Sequence, residues 1–224
     1  MDDAEVKLLS EAYEARVPRL KEVSVHLEDL ARQGLARLDH EHIDRVSFRA
    51  KSAKSFVGKV VKRAADADAG VERDGFALRP YSSPLTQVED QIGGRVVVLF
   101  KHDIPPVLEL LTPDTFNVVE MQDKTPPKDA EFGYESAHLV CHIPEHVRPA
   151  DWASDPSMPA TFELQVRTLF MHAWAEPQHN LGYKSPIDLS RDQKRHLAWI
   201  AASAWGCDDG MERAWRDIGV ARTD

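Results

Sequence analysis

The sequence predicts an α+β domain, a mixed β-sheet flanked by helices, with helical segments before and after it. Three observations carry this. Apolar residues recur at helical spacing near both ends, short β-branched or alternating runs are confined to the middle, and Pro-rich connections of unequal length separate those runs. The unequal connections argue against a regular doubly wound sheet.

In chain order, residues 3–38 read as helical, with Pro18 placed to begin a second helix whose apolar face is Leu20, Val23, Leu27 and Leu30. A helix over 53–65 carries Phe56, Val57, Val60 and Val61, and a Gly- and Asp-rich loop follows through 66–75. Ser83-Pro84 is suited to start a short helix reaching Ile92, and Gly93 to end it. The run Arg95–Phe100 is β-branched, as a strand buried on both faces would be. Further strands are expected at 116–121, 134–143 and 161–167, then a helix from Thr168 and a Trp- and Ala-rich helix over 190–218. The organisation is therefore N-terminal helices over 1–40, a core over 41–188 and a C-terminal helical segment over 189–224.

The length of 224 residues suits one domain with a helical appendage. No apolar run approaches the ~20 residues of a membrane helix, and the N-terminus lacks a secretory layout, so a cytoplasmic protein without a membrane partner is expected. Cys141 and Cys207 form no CxxC and argue against a disulfide framework; Cys141 and the tryptophans read as core. There is no GxGxxG and no P-loop motif. The net charge of −9 disfavours a broad nucleic-acid face, yet residues 44–63 hold seven Lys/Arg against one Asp. So compact a basic island fits a small polyanion such as a nucleotide, and a solvated helix face would give the same pattern.

Within that island Lys51, Ser55 and Lys59 are spaced by four and form one helical ridge, with Arg49 just before it, a cradle for phosphates. Asp90, ahead of the buried strand, and Glu163 are candidate Mg²⁺ ligands. In Thr161–Arg167, Phe162, Leu164 and Val166 alternate with Glu163, Gln165 and Arg167; an exposed edge strand would alternate likewise. In Tyr134–His142, one face carries Tyr134, Ser136, His138 and His142, and the other Ala137, Leu139 and Cys141. His172, Glu176 and His179 share a helix face, readable as a metal site or as the lining of a nucleotide pocket; the order is not HExxH, and Pro177 disturbs the helix, so the pocket lining is preferred. His102-Asp103 is an HD pair read as loop.

The ordered set RAKSAKS with Lys59, DQIGGR (90–95), FGYESAH (132–138), FELQVRT (162–168) and HAWAEPQHNLGYK (172–184) resembles the RelA/SpoT-type alarmone synthetase domain, closest to the small single-domain synthetases. The resemblance implies a nucleotidyltransferase-like mixed β-sheet flanked by helices, and Mg²⁺-dependent transfer of pyrophosphate from ATP to the 3′-hydroxyl of GDP or GTP, giving ppGpp or pppGpp and AMP. It implies ATP binding by Arg49, Lys51, Ser55, Lys59 and Arg95, with Arg95 against the adenine. It further implies Asp90 and Glu163 as the metal pair, Glu163 also activating the acceptor hydroxyl, and Tyr134 stacking on guanine. His138 and Lys124 would stand near the acceptor phosphates, with Gln165 and Arg167 supporting the site and Glu176 and His179 lining the acceptor pocket. Two departures bear on acceptor choice: Glu135 stands where many members have a basic or amide residue, and Pro177 falls near the guanine pocket. No second histidine motif suggests a hydrolase domain, and a homo-oligomer through the terminal helices is compatible with the pattern. Toxic relatives that make adenosine alarmones or modify the tRNA 3′ end, and an inactive nucleotide- or RNA-binding regulator, are the alternatives.

Overall fold

The structure is a computed structural model, and it describes residues 1–38, 40–73, 75–124, 132–133, 135–178 and 189–221. Two helices open the chain: α1 (Asp3–Glu14), started by a capping box between Asp2 and Glu5, and α2 (Val17–Gly34), with Pro18 in its first turn. Leu20, Val23 and Leu27 of α2 are fully buried, the face that the apolar spacing marked.

A five-stranded sheet follows, built from β1 (Ile43–Ala50), β4 (Ile92–Val98), β5 (Val118–Asp123), β6 (Ala137–His142) and β7 (Thr161–Thr168), in the order β1-β4-β7-β6-β5. Only the β4–β7 pair is parallel; β1–β4, β7–β6 and β6–β5 are antiparallel. A minor hairpin, β2 (Glu72–Arg73) with β3 (Phe76–Ala77), extends the loop expected over 66–75. Between β1 and that hairpin lies α3 (Ala53–Asp68), capped by Ser52, whose hydroxyl accepts the Ser55 N–H at 3.2 Å.

One face of the sheet is apolar. Phe48, Ile92, Val96, Leu139, Cys141, Phe162, Leu164 and Val166 are all buried there, and α2 and α5 (Ile104–Leu111) cover it. Gly94 is required on this side: a Cβ there would stand 2.3 Å from the Phe48 ring, which lies over the glycine. The other face carries Arg49, Arg95, Glu163, Gln165 and His138, brought abreast by the pairing of Arg49 with Gly93, Gly93 with Glu163, and Gln165 with both Arg95 and His138. After β7 come α6 (Leu169–Gln178) and α7 (Arg191–Ala221).

Several expectations are corrected. The segment before α3 is a strand, β1, because Val46 and Phe48 alternate into the core beside β4 despite Arg45 and Arg49 on either side of them. The helix begun at Pro84, α4, stops at Gln87, and Ser83 gives it no side-chain cap; Gly93 lies inside β4, not at a helix end. Residues 104–106 are not a connection but the first turn of α5, where prolines need no N–H donor. Trp199 and Trp215 are exposed on α7 at 70% and 41%, whereas Cys141 is in the core, its thiol pushed up to about 12 by burial. No described helix is long and apolar enough to cross a membrane.

Candidate active site

The chemistry gathers on the polar face where the C-terminal end of β1 meets the start of β4. Asp90, two residues before β4, receives two ammonium groups: Lys51 Nζ lies 2.6 Å from Oδ2 and Lys59 Nζ 2.9 Å from Oδ1. Lys51 precedes α3 rather than standing on it, which corrects the helical-ridge reading for that residue. Its backbone is nevertheless fixed, since its N–H donates to Gln91 O at 2.8 Å and its carbonyl accepts from Tyr13 Oη at 3.1 Å. Lys59 reaches back from the second turn of α3, and Ser55 is exposed in the first turn, so both remain in line with the helix start.

Glu163, on β7, is flanked from both neighbouring directions. His138 Nδ1 of β6 lies 3.1 Å from Oε1, and Gln165 Nε2 donates to the same oxygen at 2.5 Å. Burial alone would raise its pKa; the hydrogen bonds from His138 and Gln165 and the positive charge of Lys59 outweigh that and bring it down to about 2. The carboxylate is therefore ionised across the working pH range. Lys59 has the opposite tendency: burial lowers its pKa, but Asp90 and, at longer range, Glu163 raise it on balance. One ammonium thus faces two carboxylates, one from the segment before β4 and one from β7.

A second ionic group adjoins the first. Arg95 Nη1 of β4 lies 2.7 Å from Glu176 Oε1, and Arg167 Nη2 reaches the same oxygen at 3.2 Å. Arg167 is buried and also contacts His172 Nδ1 at 2.8 Å. Burial works against the charge of Glu176, and Arg95 and Arg167 more than compensate, with a smaller contribution from Arg49, so its pKa is lowered. Glu176 is thereby placed with Arg95 and Arg49, on the β1–β4 side of β7, whereas His138 is on the β6 side. Glu176, expected to line the acceptor pocket, thus meets Arg95 of the expected ATP site as well as Arg167, because α6 turns back over β4 after leaving β7.

Lys124 is exposed at the end of β5, the far edge of the sheet, and its amide donates to Ser136 O at 3.0 Å. Ser136 precedes β6 rather than facing the site, and its buried hydroxyl donates to Val166 O at 3.1 Å. Tyr134 and His179 lie outside the described residues. Glu135 is half-buried and 3.8 Å from Lys101, its pKa raised by burial against that lysine's pull. Between the two ionic groups the floor is bare: a Cβ on Gly93 would meet nothing within 4 Å.

Sequence reasoning missed the supports. Tyr13 stacks on Phe56 with ring centroids 3.9 Å apart while holding the Lys51 carbonyl, so α1 buttresses the lysine loop. Arg16, buried between α1 and α2, donates to Leu85 O at 3.1 Å and to Gln91 Oε1 at 3.4 Å, next to Asp90. These contacts cross 38 to 75 residues, and no local pattern announces them.

Ammonium and guanidinium groups on one side, two carboxylates below them and an open floor constitute a site for a polyphosphate and a divalent ion. Residues 48–188 match the family described as the region found in RelA/SpoT proteins. The chain belongs to the RelA/SpoT family. Within it, the chain is similar to the GTP pyrophosphokinase YjbM of Bacillus subtilis, 27% identical over 99% of this chain and 94% of that protein. It is also similar to the GTP pyrophosphokinase YwaC of the same organism, 25% identical over 77% and 73% of the two chains. Among solved structures, smu.1046c of Streptococcus mutans shares 26% identity at a TM-score of 0.62, covering 94% and 95% of the chains. The small alarmone synthetase 1 of Bacillus subtilis bound to its product pppGpp shares 25% identity at a TM-score of 0.62, covering 92% and 94%. The RelA/SpoT match spans every strand of the sheet save the first residues of β1.

Proposed function

We propose that this RelA/SpoT chain is a small alarmone synthetase, a pyrophosphokinase that moves the β,γ-pyrophosphate of ATP onto the 3′-hydroxyl of GDP or GTP. The observation that carries the reading is the placement of Asp90 and Glu163, from separate parts of the sheet, against the single ammonium of Lys59, with Arg49, Lys51 and Arg95 around them. Two relatives named GTP pyrophosphokinase and a related structure holding pppGpp support it.

Asp90 and Glu163 suit Mg²⁺: both are ionised-oxygen donors, and a positive charge already stands against both. Bound there with the triphosphate, the ion would neutralise charge on the phosphoryl group under attack. This chain's residues do the rest. Lys51 and Lys59 exchange Asp90 for phosphate oxygens, and Arg49 and Arg95, side by side on β1 and β4, hold the ATP. Glu163 accepts the hydrogen bond of the 3′-hydroxyl and orients its oxygen toward the β-phosphorus. The new O–P bond forms as the bond from the β-phosphorus to the α,β-bridging oxygen breaks; AMP leaves with that oxygen, and the hydroxyl proton passes to solvent. His138 and Gln165 keep Glu163 charged and aimed. Tyr134, His138, Lys124, Arg167 and His179 remain assigned to the acceptor side.

γ-Labelled ATP with Mg²⁺, offered GDP, GTP, GMP, ATP and bulk tRNA separately, tests the function. Label on a guanine nucleotide is expected; label confined to tRNA or adenine nucleotides, or no transfer, rejects it. A cytoplasmic enzyme that self-associates through α7 completes the proposal. The exposed Trp199, Ile200, Met211 and Ile218 support self-association, and sedimentation of the intact chain tests it.

A further inference from the structure

We infer that the chain carries a second metal site, for a zinc-class transition ion, at the opposite end of β1 and β4 from the nucleotide face. His42 immediately precedes β1, and β1 runs seven residues to Arg49, roughly 20 Å away. His102 and Asp103 lie in a short 3₁₀ turn (Lys101–Asp103) that follows β4. The HD pair therefore has the partner its sequence context did not reveal. One donor atom from each of His42, His102 and Asp103 falls within 4.8 Å of the others. Asp103 Oδ1 is 3.0 Å from His42 Nδ1 and 3.6 Å from His102 Nε2. Donors bound tetrahedrally to zinc at about 2.0–2.1 Å stand about 3.3–3.4 Å apart. The three groups already bracket that spacing.

The orientation of His102 is what asks for a cation. Its Nδ1 lies 2.9 Å from Glu212 Oε2 of α7, and the same oxygen accepts the His102 backbone N–H at 3.3 Å. A neutral ring that gives its proton to Glu212 turns the bare Nε2 lone pair toward the Asp103 carboxylate, so two acceptors face each other. An ion between them removes that conflict, and the Glu212–His102 pair becomes the carboxylate–histidine support usual behind a metal ligand. Asp103 is braced as well, its Oδ2 accepting the Phe100 N–H at 3.2 Å. Phe100 and Trp215 wall the cluster, Trp215 lying 5.0 Å from the His42 ring and 5.6 Å from the His102 ring. The nearby Lys101 does not occupy it, being turned over Trp205 at 4.9 Å and toward Glu135. His102, one-third exposed, leaves a path in and a fourth position for water. Two imidazoles and one carboxylate select zinc, cobalt or nickel over Mg²⁺ and Ca²⁺, which take oxygen donors. Because His102 carries Glu212, the ion staples α7 to the end of β4.

The test uses untagged full-length protein, freed of metal with chelator and kept in excess Mg²⁺ to fill the oxygen site. Co²⁺ is expected to bind at one equivalent with the intense visible absorption of a tetrahedral complex, to be displaced by Zn²⁺ and not by Mg²⁺, and to raise the thermal midpoint. His102→Ala and, separately, His42→Asn should each weaken Co²⁺ binding at least tenfold, and Glu212→Gln ten- to a hundredfold. Should one variant misfold by circular dichroism, the other two decide. The proposal is overturned by no tetrahedral cobalt spectrum, by binding unchanged in the folded variants, or by binding abolished by Asp90→Asn instead.

Discussion

Lys59 Nζ stands 2.9 Å from Asp90 Oδ1, a contact between a helix and the segment before β4 that closes the catalytic corner before any substrate arrives. With Lys51 on the other oxygen, the Asp90 carboxylate holds two cations in the place where the proposed mechanism brings phosphates and a metal ion. Asp90→Asn releases both lysines and removes a metal ligand. Loss of the metal's share of phosphoryl stabilisation should lower kcat by roughly 10²–10³-fold, with a rise in the Mg²⁺ concentration needed for half-maximal rate. A variant with wild-type kcat and metal dependence would remove Asp90 from the mechanism.

Glu163 makes an acid-stability prediction whose sign follows from its depressed pKa. The group is ionised in the folded protein down to about pH 2, whereas in the unfolded chain it protonates near 4.5. Its contribution is therefore present above pH 4.5 and is lost as pH falls toward 2. The difference is worth about 3 kcal/mol, taken from the displacement between those two values. Glu163→Gln should abolish synthesis with ATP still bound, and its unfolding free energy should converge on that of wild type below pH 3. Parallel stability curves through that range would show that the His138 and Gln165 contacts do not stabilise the charge.

Much of this site is written locally. The alternation of Phe162, Leu164 and Val166 against Glu163, Gln165 and Arg167 is what the strand does, and five motifs in order carry the resemblance to the RelA/SpoT family. What escaped depends on partners distant in sequence. β1 has only Val46 and Phe48 to mark its buried face, and its basic residues read as a surface segment until β4 is beside it. Lys51 fell on a helical ridge by spacing, yet Ser52 caps the helix after it. By spacing Glu176 groups with His179, but its contact with Arg95, 81 residues earlier, lies where no periodicity reaches.

That pairing gives the third prediction. Glu176 Oε1 binds Arg95 and Arg167 together, so it fixes the guanidinium proposed to hold the ATP. Glu176→Gln retains the shape and loses the charge. Since the carboxylate is half-exposed, the loss should be modest: ATP KM rises about three- to tenfold and kcat changes less than twofold. A kcat effect without a KM effect would move Glu176 from positioning the donor to the chemical step.

Adjacent glycines separate packing from function. Gly94→Ala forces a methyl to 2.3 Å from the Phe48 ring on the apolar face and should cost about 1–3 kcal/mol in stability. Gly93→Ala adds the same methyl to the other face, where nothing lies within 4 Å, and should unfold near the wild-type midpoint. Between Arg49 and Glu163, however, that methyl rises into the floor over which the substrates pass, so KM for ATP should increase several-fold. Equal stability losses in the two variants, or an unimpaired Gly93→Ala enzyme, would place the substrates elsewhere.

Asp208 has its pKa raised by burial, and its sign is opposite to that of Glu163. It sits 2% exposed on α7, where Thr168 Oγ1 donates to Oδ2 at 2.7 Å and Oδ1 has no hydrogen-bond partner among the described residues. Burial lifts its pKa to about 6, against the Thr168 hydrogen bond and the Lys101 charge that would lower it. A raised carboxylate pKa means the folded protein holds the proton more tightly than the unfolded chain. The stabilisation is complete below the unfolded value of 3.8 and lost as pH rises through 6. Asp208→Asn keeps an acceptor for Thr168 without the buried charge, so it should be more stable than wild type at pH 7, by about 1–2 kcal/mol, and lose that advantage by pH 4. Chemical denaturation of both proteins at the two pH values checks this. If the variant is less stable at pH 7, the ionised carboxylate is compensated, and the contact between β7 and α7 depends on its charge.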